Sequence, residues 1–151
     1  MARRKGILGS RLLRAVALLA IVGAVSQAVS KRLTRGDEDS DDFTLAAIFG
    51  GREFKSRATA LRSASALASM GGIELDLSDA TLDPTGATIE LTAVMGGIEL
   101  TVPKDWAVDV EQNGNFGGVE VKVTDADDLP EGAPRLQVRT NAWFGGVEIS
   151  T

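Results

Sequence analysis

The chain has 151 residues, room for one domain and an appendage, and its formal net charge of −5 conceals a sharp division. Residues 1–36 hold eight basic residues (Arg3, Arg4, Lys5, Arg11, Arg14, Lys31, Arg32, Arg35) and no acid, whereas the remainder carries all 21 acids and sums to −13. An acidic body repels phosphate backbones and excludes a nucleic-acid partner, and the absence of Cys, His and Tyr removes disulfides, Ser-His and Cys-His nucleophile pairs and the commonest zinc ligand.

From Leu12 to Val29 the sequence is apolar apart from Arg14 and a few small polar residues. Eighteen helical residues span about 27 Å, close to the roughly 30 Å hydrocarbon core of a bilayer, and Arg14 lies near enough to one end to snorkel. We therefore expect a basic segment over 1–11 and a single transmembrane helix over 12–30, anchored in membrane lipid. A signal peptide cleaved near Ser26-Gln27-Ala28 and a buried soluble helix are the rival readings. Five basic residues precede the apolar core that begins at Ala15 and three follow it, which favours an extracytoplasmic location for what comes next. Ala20, Ala24 and Ala28 share a helix face in a small-xxx-small pattern suited to helix pairing. Residues 31–42 are dense in like charge and read as a solvated, extended linker. The alternating Asp37, Asp39 and Asp41 suggest a calcium loop, but Asp42 and Ile48 stand where that loop needs Gly and Glu.

Residues 43–151 are organised by a repeat. Its copies are Phe49-Gly50-Gly51-Arg52-Glu53, Met70-Gly71-Gly72-Ile73-Glu74, Met95-Gly96-Gly97-Ile98-Glu99, Phe116-Gly117-Gly118-Val119-Glu120 and Phe144-Gly145-Gly146-Val147-Glu148, with the glycine pairs 21, 25, 21 and 28 residues apart. Apolar and polar residues alternate on both sides of each motif, as in Ile73, Leu75, Leu77 and Ile89, Leu91, Ala93, Met95, which is the period of half-buried strands. The row predicts that Phe or Met fills an inward corner and that the glycines supply the unusual φ of a bulge. Asp83-Pro84-Thr85-Gly86, Gln112-Asn113-Gly114-Asn115 and Leu129-Pro130-Glu131-Gly132 are turns. The expected fold is all-β: a β-solenoid of five stacked rungs preceded by one helix, with a sandwich of antiparallel strands as the rival. Ala58–Ala68, rich in Ala and Ser, is the weakest rung. A fifth rung with no capping element exposes unpaired backbone and predicts coverage by a loop, a second copy or a partner.

Repeated Phe-Gly-Gly-x-Glu, followed in one copy by Glu99-Leu100-Thr101-Val102-Pro103, resembles the C-terminal domain of LiaF-like cell-wall-active antibiotic response proteins over roughly residues 43 to 151. The resemblance implies a domain that follows a membrane region and, in the best-studied members, restrains a cell-envelope-stress histidine kinase. This chain has one apolar segment where the family's namesakes have four.

Glu53, Glu74, Glu99, Glu120 and Glu148 are the candidate partner-binding residues. Stacked outward they repel one another by roughly 0.2–1 kcal/mol per pair, a cost that suggests a cationic peptide, a basic domain or a divalent ion, unless they merely solubilise the sheet with Lys55 and Lys122 as local neutralisers. Outward Trp143 is a second candidate contact, while Trp106 covers the core. Asp125, Asp127 and Asp128 read as a solvated loop or a weak metal site. Gly50, Gly51, Gly71, Gly72, Gly96, Gly97, Gly117, Gly118, Gly145 and Gly146 are structural turns. We expect no cofactor and no catalytic or metal residues. The predicted function is a non-catalytic binding or regulatory module at the membrane, acting on a protein partner. The alternative is a self-associating scaffold, and a paired-carboxylate glycan hydrolase is disfavoured.

Overall fold

The structure, a computed structural model, describes residues 6–114 and 116–151. Arg3, Arg4 and Lys5 of the basic segment, and Asn115 of one expected turn, lie outside the described residues. One helix, α1 (Gly6–Leu33), precedes ten strands: β1 (Asp42–Ala47), β2 (Gly50–Lys55), β3 (Ser63–Ser69), β4 (Gly71–Asp76), β5 (Ala87–Val94), β6 (Gly97–Thr101), β7 (Ala107–Asn113), β8 (Gly118–Lys122), β9 (Arg135–Trp143) and β10 (Gly146–Ser150). Within α1 the span Leu13–Leu33 is long and apolar enough to cross a membrane, and its apolar side chains, Leu13, Leu18 and Leu19 among them, are exposed.

Each motif joins two strands, one in each of two five-stranded sheets, ordered β1-β3-β5-β9-β7 and β2-β4-β6-β10-β8. Every pairing within the sheets is parallel, so antiparallel packing is ruled out for the strands. The Ala/Ser-rich stretch forms β3, where small side chains such as Ala64, Ala66 and Ala68 are buried. The two sheets enclose the apolar row: Leu45, Leu75, Ile89, Leu91, Ile98, Leu100, Leu136, Val138 and Ile149 are fully or almost fully buried. Trp106 joins this cluster.

The stack does not follow chain order. The fifth repeat (β9, β10) lies between the third and the fourth, and the fourth (β7, β8) forms the outer end. The final rung is therefore not the bare end expected from the sequence. Composition explains the exchange. The fifth repeat buries Leu136, Val138, Thr140, Ala142, Val147 and Ile149, and so suits a position with neighbours on both sides. The fourth carries Asp109, Glu111, Gln112 and Asn113, and its Val108, Val110 and Val119 are only partly covered. Residues 123–134, which include a 3-10 turn at Ala126–Asp128, give the chain enough length to cross back.

The acidic linker is not an extended spacer. Arg35 and Thr44 exchange backbone hydrogen bonds as an antiparallel bridge, the Arg57 amide donates to the Glu38 carbonyl at 2.6 Å, and Arg62 and Ser63 amides donate to the Asp41 carbonyl. The Arg57 guanidinium lies 3.0 Å from Glu38 and 3.4 Å from Asp39. The Asp37–Ser40 segment closes on itself, with the Ser40 hydroxyl donating to Asp37 Oδ1. Counter-charges on the neighbouring turn thus hold this segment to the first rungs.

Candidate functional site: a glycine floor beside a glutamate row

The parallel register brings the five motif glutamates into a single line. Glu53 pairs with Glu74, Glu74 with Glu99, Glu99 with Glu148 and Glu148 with Glu120. Successive side chains on a strand alternate between faces, so with Ile73, Ile98 and Val147 buried these glutamates point to the outer face of the second sheet. Neighbouring strands lie about 4.8 Å apart, giving a row about 19 Å long. Of the two expected neutralisers only Lys122 acts on the row: its Nζ lies 2.9 Å from Glu148 and 3.0 Å from Glu120, and the hydrogen bonds to Glu148 and then Glu120 raise its pKa. Lys55 turns instead to Asp79 and Asp76, at 2.9 and 3.4 Å. Among the described residues, Glu53, Glu74 and Glu99 have no ion-pair partner.

Two residues before each glutamate, on the same outer face, stands the second glycine of the pair. Gly51, Gly72, Gly97, Gly146 and Gly118 form a bare strip along the glutamates, and together they line an open groove of about 920 Å³ that crosses all five rungs. The two glycines of a pair have different physical reasons. At the first position an added Cβ at Gly71, Gly96 or Gly145 would run into the carbonyl oxygen of Gly50, Gly71 or Gly96 on the adjacent rung, and at Gly117 into Ala142. The second position carries no such constraint. A Cβ at Gly72, Gly97 or Gly146 would sit 3.8 to 3.9 Å from its nearest neighbour, and at Gly51 or Gly118 it would meet nothing. None of these five has a positive φ. Folding leaves room for a side chain there, yet none of the five copies has one.

The turn glycines also differ from expectation in φ. Only Gly50 among the motif glycines has a positive φ, at 102°. In the second, third and fifth repeats the left-handed conformation falls on the preceding residue, Met70, Met95 and Phe144, with φ of 53°, 51° and 54°. That geometry swings the side chain out of the corner. Phe49, Met70, Met95, Phe116 and Phe144 are exposed, not inward as the alternation predicts. A side-chain period of two holds only while φ stays in the β region.

Trp143 is outward, as expected, but it belongs to β9 in the other sheet, opposite Val94, and does not join the glutamate row. Asp125, Asp127 and Asp128 lie exposed in and beside the 3-10 turn. Among the described residues no three His, Cys, Asp or Glu side chains converge as a metal site. Arg52 stands where the other four repeats have Ile or Val, and its guanidinium donates to the Thr34 hydroxyl and the Ala46 carbonyl, tying the first rung to the end of α1.

No curated protein and no solved structure matches the chain. The profile of the family described as cell wall-active antibiotics response LiaF, C-terminal, matches residues 48–149, which takes in all five motifs from the first glycine pair to the last strand. The chain belongs to the LiaF-like C-terminal domain family.

Proposed function

We propose that this protein is a membrane-anchored, non-catalytic binding module of the cell-envelope stress response, and that its partner lies along the glycine floor with cationic groups on the glutamate row. The observation that carries the reading is the second glycine of each motif, left bare five times where backbone packing leaves room for a side chain. A flat strip beside a line of carboxylates suits a linear cationic chain, which lays its backbone on the floor and sets its charges along the glutamates. The five glutamates occupy equivalent positions, which favours repeated recognition over a single chemical step. The in-register columns support reading the two sheets as faces of one β-solenoid with its fourth and fifth coils exchanged. The family's description supports the link to envelope-directed antibiotics. The five basic residues before the apolar core, against three after it, support an extracytoplasmic domain, which protease accessibility in intact cells would test.

The binding reading is tested with the full chain in detergent, titrated with fluorescein-labelled oligolysine. Glu74→Gln/Glu99→Gln should lose affinity about tenfold, in line with two exposed ion pairs of up to about 1 kcal/mol each. Gly72→Ala/Gly97→Ala should weaken binding with the charge unchanged. Asp125→Asn/Asp127→Asn/Asp128→Asn removes more charge from a turn that does not line the groove and should leave affinity near wild type. Equal losses in all three variants would reduce the effect to bulk charge and refute the groove.

A further inference from the structure

All corners lie on one edge of the fold, because the strands before the glycine pairs are parallel and end together. In the spatial order of the rungs this edge presents Phe49, Met70, Met95, Phe144 and Phe116, one large apolar side chain per rung, between 42% and 68% exposed. The Phe144 and Phe116 rings stack in the open with centroids 5.4 Å apart, and exposed Trp143 adjoins them. The corner segments 48–51, 70–72, 95–97, 116–118 and 144–146 contain no charged residue. The acidic turns, with Asp37, Asp39, Asp79, Asp83, Asp105 and Asp128, precede or follow the strands at the opposite edge.

Folding does not account for this ridge. Met70, Met95 and Phe144 adopt the left-handed conformation, which costs a residue with a β-carbon about 1–2 kcal/mol, and they do so with their side chains in solvent. Asn or Gly would relieve the backbone and remove the exposed apolar surface.

The first helix shows what the ridge faces. The Arg35–Thr44 bridge is antiparallel, so the chain leaves α1 and doubles back along β1. Thr34 meets Arg52, and the Ser30 hydroxyl accepts from the Ile48 amide at 3.4 Å. Traced backwards, α1 therefore passes the Phe49 corner near Ser30, and its apolar span projects beyond the edge that carries the ridge. Leu13 to Val29 cover about 26 Å, close to one hydrocarbon thickness, which places the corner edge at the depth where the span meets the headgroups. We propose that the Phe/Met ridge is a lipid-facing edge that rests in the headgroup–acyl boundary of the bilayer anchored by α1. The inference rests on α1 crossing a membrane, and its occupant is lipid. A charge-free apolar rim is the surface that interfacial residues present to a bilayer, whereas a soluble acidic or basic partner would find nothing there to pair with.

The chain has no native cysteine, so single-cysteine spin labels report depth directly. The full chain is reconstituted in phosphatidylcholine vesicles with labels at Met70→Cys, Met95→Cys or Phe144→Cys on the ridge, Asp79→Cys or Asp128→Cys on the far edge, and Leu18→Cys in the span. Collision with oxygen is compared with collision with a water-soluble nickel chelate. The expected result is a ratio several-fold higher at the three ridge positions than at 79 and 128, with Leu18 higher still. Ridge labels as open to the chelate as 79 and 128, with Leu18 in lipid, would overturn the inference and leave the anchor standing. Leu18 open to the chelate would remove the anchor itself. Ridge labels shielded from both reagents would mean that a protein surface covers the ridge, which also overturns the proposal.

Discussion

Replacing Gly96 or Gly97 by Ala changes adjacent residues by the same methyl group, and the structure expects opposite outcomes. At Gly96 the new Cβ overlaps the Gly71 carbonyl oxygen and sits 3.1 Å from the Gly71 nitrogen and 3.3 Å from its carbonyl carbon. These are backbone atoms in a parallel ladder, so the clash can be relieved only by separating two rungs. Overpacking against a yielding core costs about 1–3 kcal/mol, and here the upper end is expected because no side chain can rotate away. A loss of about 3 kcal/mol lowers Tm by roughly 12–24 °C for a domain of this size. At Gly97 the Cβ lies 3.9 Å from the Gly146 oxygen, an ordinary contact. Gly97 opens β6 without a positive φ, so alanine there restricts the unfolded chain and stabilises by about 0.4–1 kcal/mol, or roughly 2–8 °C. Thermal melts followed by β-sheet circular dichroism in detergent measure both. Equal shifts for the two variants, or a stable Gly96→Ala, would mean that the rungs are not stacked glycine against glycine.

Met95→Asn exchanges a residue strained at φ 51° for one that tolerates the left-handed region, and should raise stability in detergent by about 0.5–1 kcal/mol, read by denaturant titration. An unchanged or lower midpoint would show that Met95 supports the fold itself. Acid should also destabilise the domain. Asp76, held low first by the Ser78 hydroxyl and then by the Ser78 amide, and Asp37, Asp42 and Asp83, held low first by Ser40, Ser63 and Thr85, all have pKa values below the ordinary 3.8. A depressed folded-state pKa adds stability that is complete above the unfolded value and lost as pH falls through the folded one. Tm should therefore hold at pH above about 5 and drop below about 3.8, less steeply in Asp76→Asn.

The sequence makes the repeat, the strands and the outward glutamates legible, because period-two alternation and a recurring glycine pair are local signals that parallel pairing amplifies. It does not disclose which way Met95 and Phe144 point, since one residue in left-handed backbone inverts the alternation and nothing in Met or Phe announces it. The two glycines of each pair look alike in sequence. Only the neighbouring rung distinguishes Gly96, pressed on a carbonyl, from Gly97, open to the groove. The exchange of the fourth and fifth repeats goes with the longest spacing in the chain, 28 residues against 21 to 25 elsewhere, and with the polar character of Val108–Asn113. Even so, rung order is a tertiary choice made by competition for buried neighbours. The acidic linker reads as solvated because its partners, Arg57 and Arg62, come from a later turn.

The interleaved position of the fifth repeat has a consequence for synthesis. The first three repeats can zip together as they emerge, but the fourth has no proper neighbour until the fifth has been made and slipped in beside the third. Assembly is thus non-vectorial, with high contact order and a late locking step. A nascent chain stalled after the fourth repeat would carry two orphaned strands, one for each sheet, poised to mispair with the open side of the third, instead of a shorter version of the finished molecule.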